Sequence, residues 1–284
     1  MNKAWYGIAA AVALGLLGAA AWMWWQGTSR PAQTVAPAPV ASSPPLAAAA
    51  ASASAASAEP AIRHPVEALA AAQPSAGPLD VDAALTALFG RKAVQSLFQL
   101  QDFAHRFVAT VDNLGASRAP SRLWPLNPVE GPFIVETKDG GTVISADNGL
   151  RYTPYVLLLE TVDLRQAVAL YARLYPQLQQ AYEDLGYPKR YFNDRLVDVI
   201  DQLLATPDVS NPLKVRLPQI NGPEQPQRPW VLYEFEDPAL RSLTAGQKLL
   251  LRMGPVNERR VKTRLREIRR LVAAAAAPRP AGPG

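Results

Sequence analysis

The chain has no cysteine and only two histidines, His64 and His105, among its 284 residues. Without cysteine it can form no disulfide and carry no thiolate nucleophile, and zinc sites of the usual Cys/His kind are nearly excluded. A glycine-rich phosphate loop is also missing, because Gly140-Gly141 suits a turn and residues 245–248 lack the Walker spacing. Any function must therefore depend on other residue types.

Charge is absent from a run of 22 residues, Ala4 to Trp25. As a helix this run would be about 33 Å long, enough to cross the hydrocarbon core of a bilayer. Tryptophans at both ends suit the membrane–water interface. We therefore predict a transmembrane anchor at residues 4–25, within an N-terminal region 1–26. A cleaved signal peptide is the alternative, but its apolar region is shorter, and bulky tryptophans suit signal peptidase poorly.

Lys3 precedes the apolar run, and the next cation is Arg30. This slight positive bias predicts a cytoplasmic N-terminus and a periplasmic remainder. The lack of cysteine is compatible with an oxidising compartment. The expectation is a single-pass protein of the bacterial inner membrane. If the charge bias misleads, the bulk of the chain faces the cytoplasm instead.

Residues 27–78 contain 19 alanines, nine prolines and seven serines. So few large apolar side chains cannot offset the entropy of ordering, and the prolines favour extended polyproline II pieces. We predict a disordered linker, with an end-to-end distance of about 40 Å as a flexible coil. His64 lies in this linker and is expected to be solvated. The tail, 273–284, is also expected to be disordered.

Residues 79–272 are long enough for one globular domain with a core. Apolar residues spaced by three and four predict amphipathic helices, the longest at 91–114 and 163–185. Asp80 and Asp163 are predicted N-caps, and Thr244 with Gln247 has the spacing of a capping box. Further helices are predicted at 155–162, 191–205, 238 onward, 245–253 and after 255. Pro176 is expected to kink or split the helix that contains it.

Four short segments predict strands. Residues 133–136 and 142–145 flank Lys138-Asp139-Gly140-Gly141, a pattern typical of a β-hairpin. Residues 214–217 and 230–236 are separated by a proline-rich connection and form the second pair. We therefore expect a mainly α (α+β) domain with about seven helices and one or two small β-hairpins.

Several motifs follow one another in the domain: Arg151-Tyr152-Thr153-Pro154-Tyr155, Leu174-Tyr175-Pro176, Gly186-Tyr187-Pro188 with residues 191–196, and Tyr233-Glu234-Phe235 with residues 245–254. Through these motifs, residues 79–272 resemble the bacterial family catalogued as domain of unknown function 3014. The resemblance implies a membrane segment, a Pro/Ala-rich linker and this domain, without an assigned activity. It supplies no catalytic residues.

Two groups of titratable side chains suggest chemistry. Asp102 and His105 share a helix face, but no nearby serine completes a triad, so a surface histidine is the favoured interpretation. Asp194, Asp198 and Asp201 also recur on one helix face. They could ligate a hard cation or act in acid–base catalysis. We favour a solvated stripe that pairs with Arg195 or with another, basic helix.

Aromatic and polar residues meet before the helix at 191–205. Tyr187 and Tyr191 flank a proline-containing loop that leads into Asn193, Asp194 and Arg195. Such residues can line a groove for a sugar or a peptide. They can equally cap the helix and fix its entry angle, and the sequence favours this structural interpretation.

Charge is unevenly distributed over the domain. Residues 241–270 hold ten Lys/Arg against two acids, a net +8, whereas residues 79–240 hold fifteen against twenty, a net −5. The basic residues include the candidate binding residues Arg259, Arg260, Lys262 and Arg266. They can be neutralised internally by the acidic 194–201 helix, or meet anionic lipid, peptidoglycan or an acidic protein. A periplasmic domain gives no reason to expect nucleic acid.

Three functions are compatible with these features. The favoured one is a non-enzymatic adaptor or binding module of the cell envelope, without catalytic residues, cofactor or metal. The second is an enzyme acting on cell-wall carbohydrate through carboxylates such as Asp194 or Glu160, which needs two acids about 5–10 Å apart in a pocket. The third is a regulator that faces the cytoplasm.

Overall fold

A computed structural model describes residues 61–66, 79–209, 212–219 and 228–273 of the chain. All of these belong to one compact unit, 56–284. The predicted anchor at 4–25, the linker apart from 61–66, and the tail from 274 lie outside the described residues. None of the helices in the described ranges has the length and apolarity to cross a membrane.

The described residues form a mainly helical domain, as expected. It has nine α-helices: α1 (Val81–Phe89), α2 (Arg91–Leu97), α3 (Phe103–Leu114), α4 (Thr153–Thr161), α5 (Leu164–Asp184), α6 (Phe192–Leu204), α7 (Pro238–Ser242), α8 (Ala245–Arg252) and α9 (Pro255–Ala273). Short 3₁₀ helices lie at Ser121–Leu123, Ala146–Tyr152 and Pro229–Leu232.

Two antiparallel hairpins supply the β structure. Strand β1 (Val135–Lys138) pairs with β2 (Gly141–Ile144), and β3 (Val215–Arg216) pairs with β4 (Glu234–Phe235). Asp139 and Gly140 join β1 to β2 with φ angles of 51° and 75°. A two-residue type I′ turn requires positive φ at both positions, which Asp-Gly adopts readily. The first hairpin is therefore confirmed.

The core lies where α3, α5 and α6 pack together. Tyr182 and Phe192 are among its largest fully buried side chains, and Val108 and Leu178 lie in the same cluster. A second cluster joins the β3–β4 hairpin to α7 and α8. A third joins α5 and α6 to the end of α9 through Val272. Helix α6 thus contacts both long helices, α5 and α9.

Helix starts agree with the predicted caps. The Asp80 and Asp163 carboxylates accept from backbone N–H groups in the first turns of α1 and α5. Thr244 and Gln247 form both hydrogen bonds of the capping box at α8. These side chains satisfy N–H groups that have no partner inside the helix, so local sequence was sufficient to locate the starts.

One continuous helix over 91–114 was a wrong prediction. The chain is extended at Phe98, with φ −107° and ψ 150°, and α3 begins only at Phe103. The Gln99 N–H donates to the Pro125 carbonyl at 2.8 Å, and the Asn127 N–H donates to the Leu97 carbonyl at 2.8 Å. Pairing with this distant segment replaces the helical bonds, which apolar spacing alone does not reveal.

Two other local predictions agree with the structure only in part. Helix α5 runs through Pro176 without being split, and the flanking Tyr175 and Leu178 are buried in the main core. Tertiary packing there outweighs the hydrogen bond that proline removes. Pro229–Leu232 forms a 3₁₀ turn, so only Glu234–Phe235 of the predicted 230–236 strand is paired.

Gly246 allows α8 to approach α3 and α6 closely. A Cβ atom here would overlap the Leu203 side chain and lie 3.0 Å from the Leu114 carbonyl oxygen. We expect Gly246→Ala to lower the free energy of unfolding by about 1–3 kcal/mol, because the backbone must shift. Urea unfolding of the chain measures this. The control is Gly141→Ala, whose Cβ has only ordinary contacts; equal loss in both variants would contradict the packing argument.

Candidate functional site

Tyr191, Asn193 and Asp194 come together at the start of α6, where they contact residues 61–66. We call residues 61–66 the docked segment. It lies inside the stretch that was expected to be a disordered linker, and Val66 is only 1% exposed. His64, expected to be solvated, is half-buried. These six residues therefore form part of the folded unit.

Most contacts to the docked segment address its backbone. The Asp194 carboxylate accepts from the backbone N–H of Arg63 at 3.0 Å and of His64 at 2.8 Å. The Asn193 amide donates to the His64 carbonyl at 2.8 Å. The Tyr191 hydroxyl accepts from the Val66 N–H at 2.8 Å. Four hydrogen bonds thus fix a short stretch of chain without depending on its side chains.

Two side chains of the docked segment add specific contacts. Arg63 Nη2 lies 2.7 Å from Asp198 Oδ2, and this hydrogen bond raises the pKa of Arg63. Val66 packs into the main core cluster. The middle of the segment is thus held by charge and its last residue by apolar burial.

Asn193 connects four parts of the molecule and is fully buried. Its Oδ1 accepts from the Tyr171 hydroxyl at 2.9 Å, and its Nδ2 donates to the Val272 carbonyl at 3.2 Å as well as to His64. Its backbone N–H donates to the Tyr175 hydroxyl at 3.2 Å. Helices α5, α6 and α9 and the docked segment therefore meet at one amide.

Tyr171 and Tyr175, which both bond to Asn193, are largely buried. Burial raises the pKa of Tyr171 and the pKa of Tyr175 above that of a free phenol. The Tyr171 hydroxyl remains a donor to Asn193, and the Tyr175 hydroxyl donates to Gln179 Oε1 at 3.1 Å. The ring centroids of Tyr175 and Tyr191 are 5.2 Å apart, so the Tyr191 ring, whose hydroxyl bonds to Val66, packs against Tyr175.

Tyr187 and Arg195 lie elsewhere, where both bond to Asp112 of α3. The Tyr187 ring stacks on Tyr182 at 4.6 Å, and its hydroxyl donates to Asp112 at 3.3 Å. Arg195 Nε donates to Asp112 Oδ1 at 2.8 Å. These contacts join helices to one another, and none of them involves the docked segment.

The row of acids on α6 does not converge on one point. Asp194 and Asp198 contact the docked segment, whereas Asp201 forms an ion pair with Arg269 of α9. The hydrogen bonds from Arg269 lower the pKa of Asp201. Across the described ranges, no group of three acidic or histidine side chains is arranged to hold a metal ion.

The basic side chains of α9 divide into two sets, and the first is paired inside the molecule. Arg260 donates to Glu160 at 2.7 Å, and Arg264 donates to the Val162 carbonyl at 2.7 Å. The Lys262 side chain is only 7% exposed and lies 2.7 Å from Glu258. Together with Arg269, these residues attach α9 to α4, to α6 and to the chain after α6.

Arg259, Arg266 and Arg270 form the second set, which we call the arginine stripe. All three are exposed, and within the described part of the chain none makes an ion pair. Spacings of seven and four place them on one face of α9, over roughly 16 Å. A cavity of about 470 Å³ adjoins this face, and its lining includes Arg259, Lys262 and Arg266 together with the acids Asp208 and Glu258. Internal neutralisation and an open basic surface therefore coexist.

The candidate residues do not all belong to one site. Tyr191, Asn193 and Asp194 surround the docked segment, Arg259, Lys262 and Arg266 line the cavity, and Tyr187, Arg195 and Arg260 join helices. Sequence reasoning missed the docked segment and the role of Asp198. A signal was present, because Ile62, Arg63, His64 and Val66 interrupt the Ala/Pro/Ser composition of the linker.

His105 lies on the surface beside two acids. Its Nδ1 is 2.6 Å from Asp102 and its Nε2 is 3.3 Å from Asp184, and the side chain is half exposed. Hydrogen bonds to Asp102 and then to Asp184 raise the pKa of His105. Both ring nitrogens are occupied by carboxylates, which agrees with a surface ion pair rather than a catalytic base.

Replacing Asn193 by Ala should leave the Tyr171 hydroxyl and the His64 carbonyl without their partner. We expect the free energy of unfolding to fall by about 1–3 kcal/mol, the cost of unsatisfied buried groups. Trypsin should also cleave faster after Arg63. Urea unfolding and limited proteolysis measure the two effects. Asn113→Ala is the control, since Asn113 bonds only within its own helix; if both variants behave alike, Asn193 does not hold the segment.

The His105 contacts predict a pH dependence. Because the folded-state pKa is raised from 6.5, the stabilisation is complete below about pH 6.5 and is lost as pH rises through the folded pKa. Unfolding free energies measured from pH 5 to 9 should therefore fall more steeply in the wild-type chain than in His105→Gln. Asp102→Asn should lower the pKa of His105 in an NMR titration. Identical pH profiles for the wild type and His105→Gln would contradict the assignment.

Comparison with known proteins supplies a family but no activity. No curated protein and no solved structure matches the chain significantly. A family model described as "protein of unknown function (DUF3014)" matches residues 103–269, more than half of the chain. This agrees with the resemblance carried by the sequence motifs. The chain belongs to the DUF3014 family.

Proposed function

We propose that the chain is a single-pass inner-membrane protein whose periplasmic helical domain is a non-enzymatic binding module of the cell envelope. The uncharged run at 4–25 and the preceding Lys3 support the anchor and its orientation. The low-complexity linker supports a domain that reaches away from the bilayer.

The arginine stripe is the observation that carries the binding role. The other four basic residues between 259 and 269 bond to partners inside the molecule, yet Arg259, Arg266 and Arg270 remain exposed on one face. An isolated domain gains little from three unpaired cations on one helix, since neighbouring like charges repel. We assign this face to an acidic surface of an envelope protein; peptidoglycan carboxylates are the other outcome of the test.

The carboxylate contacts favour binding over glycosidase chemistry. A general acid needs a raised pKa, so that it is protonated at working pH. Arg260 instead lowers the pKa of Glu160, and Arg269 lowers the pKa of Asp201. Asp194 already accepts two backbone hydrogen bonds. These acids are used to hold the fold together.

A compartment-sensitive reporter tests the orientation. Alkaline phosphatase fused to the C-terminus is active only outside the cytoplasm, so the proposal predicts an active fusion. A cytoplasmic reporter such as β-galactosidase, fused at the same place, should be inactive. The opposite result would support the regulator that faces the cytoplasm.

Reversing the arginine stripe tests the binding surface. The triple variant Arg259→Glu, Arg266→Glu, Arg270→Glu removes three ion pairs to a partner, each worth about 0.2–1 kcal/mol at an exposed site. We expect at least fivefold less of a recurrent envelope protein to be recovered after mild crosslinking of whole cells. Added salt should weaken the wild-type complex, since exposed ion pairs are screened.

The matched control is Arg118→Glu, Arg165→Glu, Arg173→Glu. These arginines are also exposed, lie outside α9 and give the same change in net charge. Equal losses in both triple variants would mean that net charge alone matters. Recovery of peptidoglycan fragments instead of a protein would mean that the arginine stripe binds peptidoglycan.

A further inference from the structure

The docked segment is held as a protein holds a bound peptide. We propose that the groove formed by Tyr191, Asn193, Asp194 and Asp198 also accepts, in place of the docked segment, a basic–x–Pro–aliphatic segment of a partner protein. This deepens the proposed function by naming the partner chemistry at a second surface, and it rests only on the domain being a binding module.

The backbone contacts supply the general part of recognition. Asp194 accepts two successive N–H groups, Asn193 donates to the next carbonyl, and Tyr191 accepts from the N–H of Val66. The chain bends at Arg63, His64 and Val66, and a peptide that adopts the same bent backbone presents the same groups at the same spacing. Main-chain hydrogen bonds of this kind provide affinity, and side-chain pockets provide specificity.

Three positions of the segment supply the specific part. Asp198 receives a cation at the position of Arg63, at 2.7 Å. The core receives a branched aliphatic side chain at the position of Val66. Pro65 lies between the N–H groups of His64 and Val66, which both have acceptors; proline has no N–H to satisfy, and its ring limits the entropy lost on binding.

The groove and its occupant belong to different parts of the chain. Tyr191, Asn193, Asp194 and Asp198 lie inside the stretch matched by the family model, 103–269, whereas the docked segment precedes it. The docked segment also lies in the low-complexity stretch between the apolar run and the domain. The receptor is thus contributed by the domain, and its occupant is a short insertion of larger residues in the linker.

Occupation by the chain's own segment has a direct consequence. The segment is joined covalently to the domain, so its effective concentration at the groove is high and an external peptide must compete with it. When a partner segment binds, residues 61–66 are displaced and the free tether lengthens toward α1. Partner binding and tether release are therefore two aspects of one exchange.

A labelled peptide tests the exchange. The probe is a fluorescent peptide with the sequence of residues 59–68, and the receptor is the full chain in detergent. Val66→Asp removes the buried apolar side chain of the internal segment and leaves the four groove residues unchanged in sequence. Fluorescence anisotropy should show at least tenfold tighter binding to Val66→Asp than to the wild-type chain. The same peptide with Arg replaced by Glu and Val by Asp should not bind.

A second variant locates the binding. Asp194→Asn in the Val66→Asp background should abolish peptide binding, because Asp194 accepts two backbone N–H groups of the occupant. Arg118→Glu in the same background is the matched surface control and should bind as Val66→Asp does. If Asp194→Asn leaves the affinity unchanged, the peptide binds elsewhere and the proposal is overturned.

Several outcomes would contradict the proposed exchange. If Val66→Asp shows no thermal unfolding transition, the domain does not fold without the segment, and the segment is a fixed part of the fold. A folded Val66→Asp chain without peptide affinity, or one that binds no better than the wild type, would exclude exchange. Dimerisation when Val66→Asp is mixed with Asn193→Ala would assign the groove to a second copy. None of these results depends on the orientation that the reporter fusions measure.

Discussion

One buried amide, the side chain of Asn193, holds the candidate groove together. It is fully buried and bonds to Tyr171 of α5, to the end of α9 and to the docked segment. Burying an amide without hydrogen-bond partners costs more free energy than its hydrogen bonds contribute when they form. These three parts must therefore take up positions that satisfy the amide together. The alignment of α5, α6 and α9, and with it the row Asp194–Asp198–Asp201, depends on this constraint.

The charges of the domain are organised around that alignment. Acids on α4 and α6 bond to Arg260 and Arg269, which attach α9 along its length. The many cations of α9 point to all sides of the helix, so they cannot all face the rest of the domain. Arg259, Arg266 and Arg270 are therefore exposed to solvent. The groove and the arginine stripe are therefore two consequences of docking one basic helix on an acidic one. If the groove binds a partner segment, as proposed, the arginine stripe stays available for a second contact.

Features that depend on nearby residues were predictable from the sequence. Features that depend on distant residues were not. The caps at Asp80, Asp163 and Thr244 and the Asp139-Gly140 turn depend on atoms within a few residues of each other, so their sequence signals held. The break at Phe98 was missed because its replacement hydrogen bonds come from Pro125 and Asn127. The side chains of the candidate site were named, but their division among a groove, a cavity and helix contacts was not.

The sequence alone predicted the mainly helical class and the β1–β2 hairpin, because periodicity, capping and turn chemistry act over a few residues, and its motifs indicated the family. Only the tertiary structure decided what Asp194 binds, since its partner Arg63 lies 131 positions earlier in the chain. The composition of residues 27–78 predicts disorder, yet Val66 within this stretch is buried in a core that other helices build. Burial and hydrogen bonding of that kind depend on the closed fold and leave only a faint mark in local sequence.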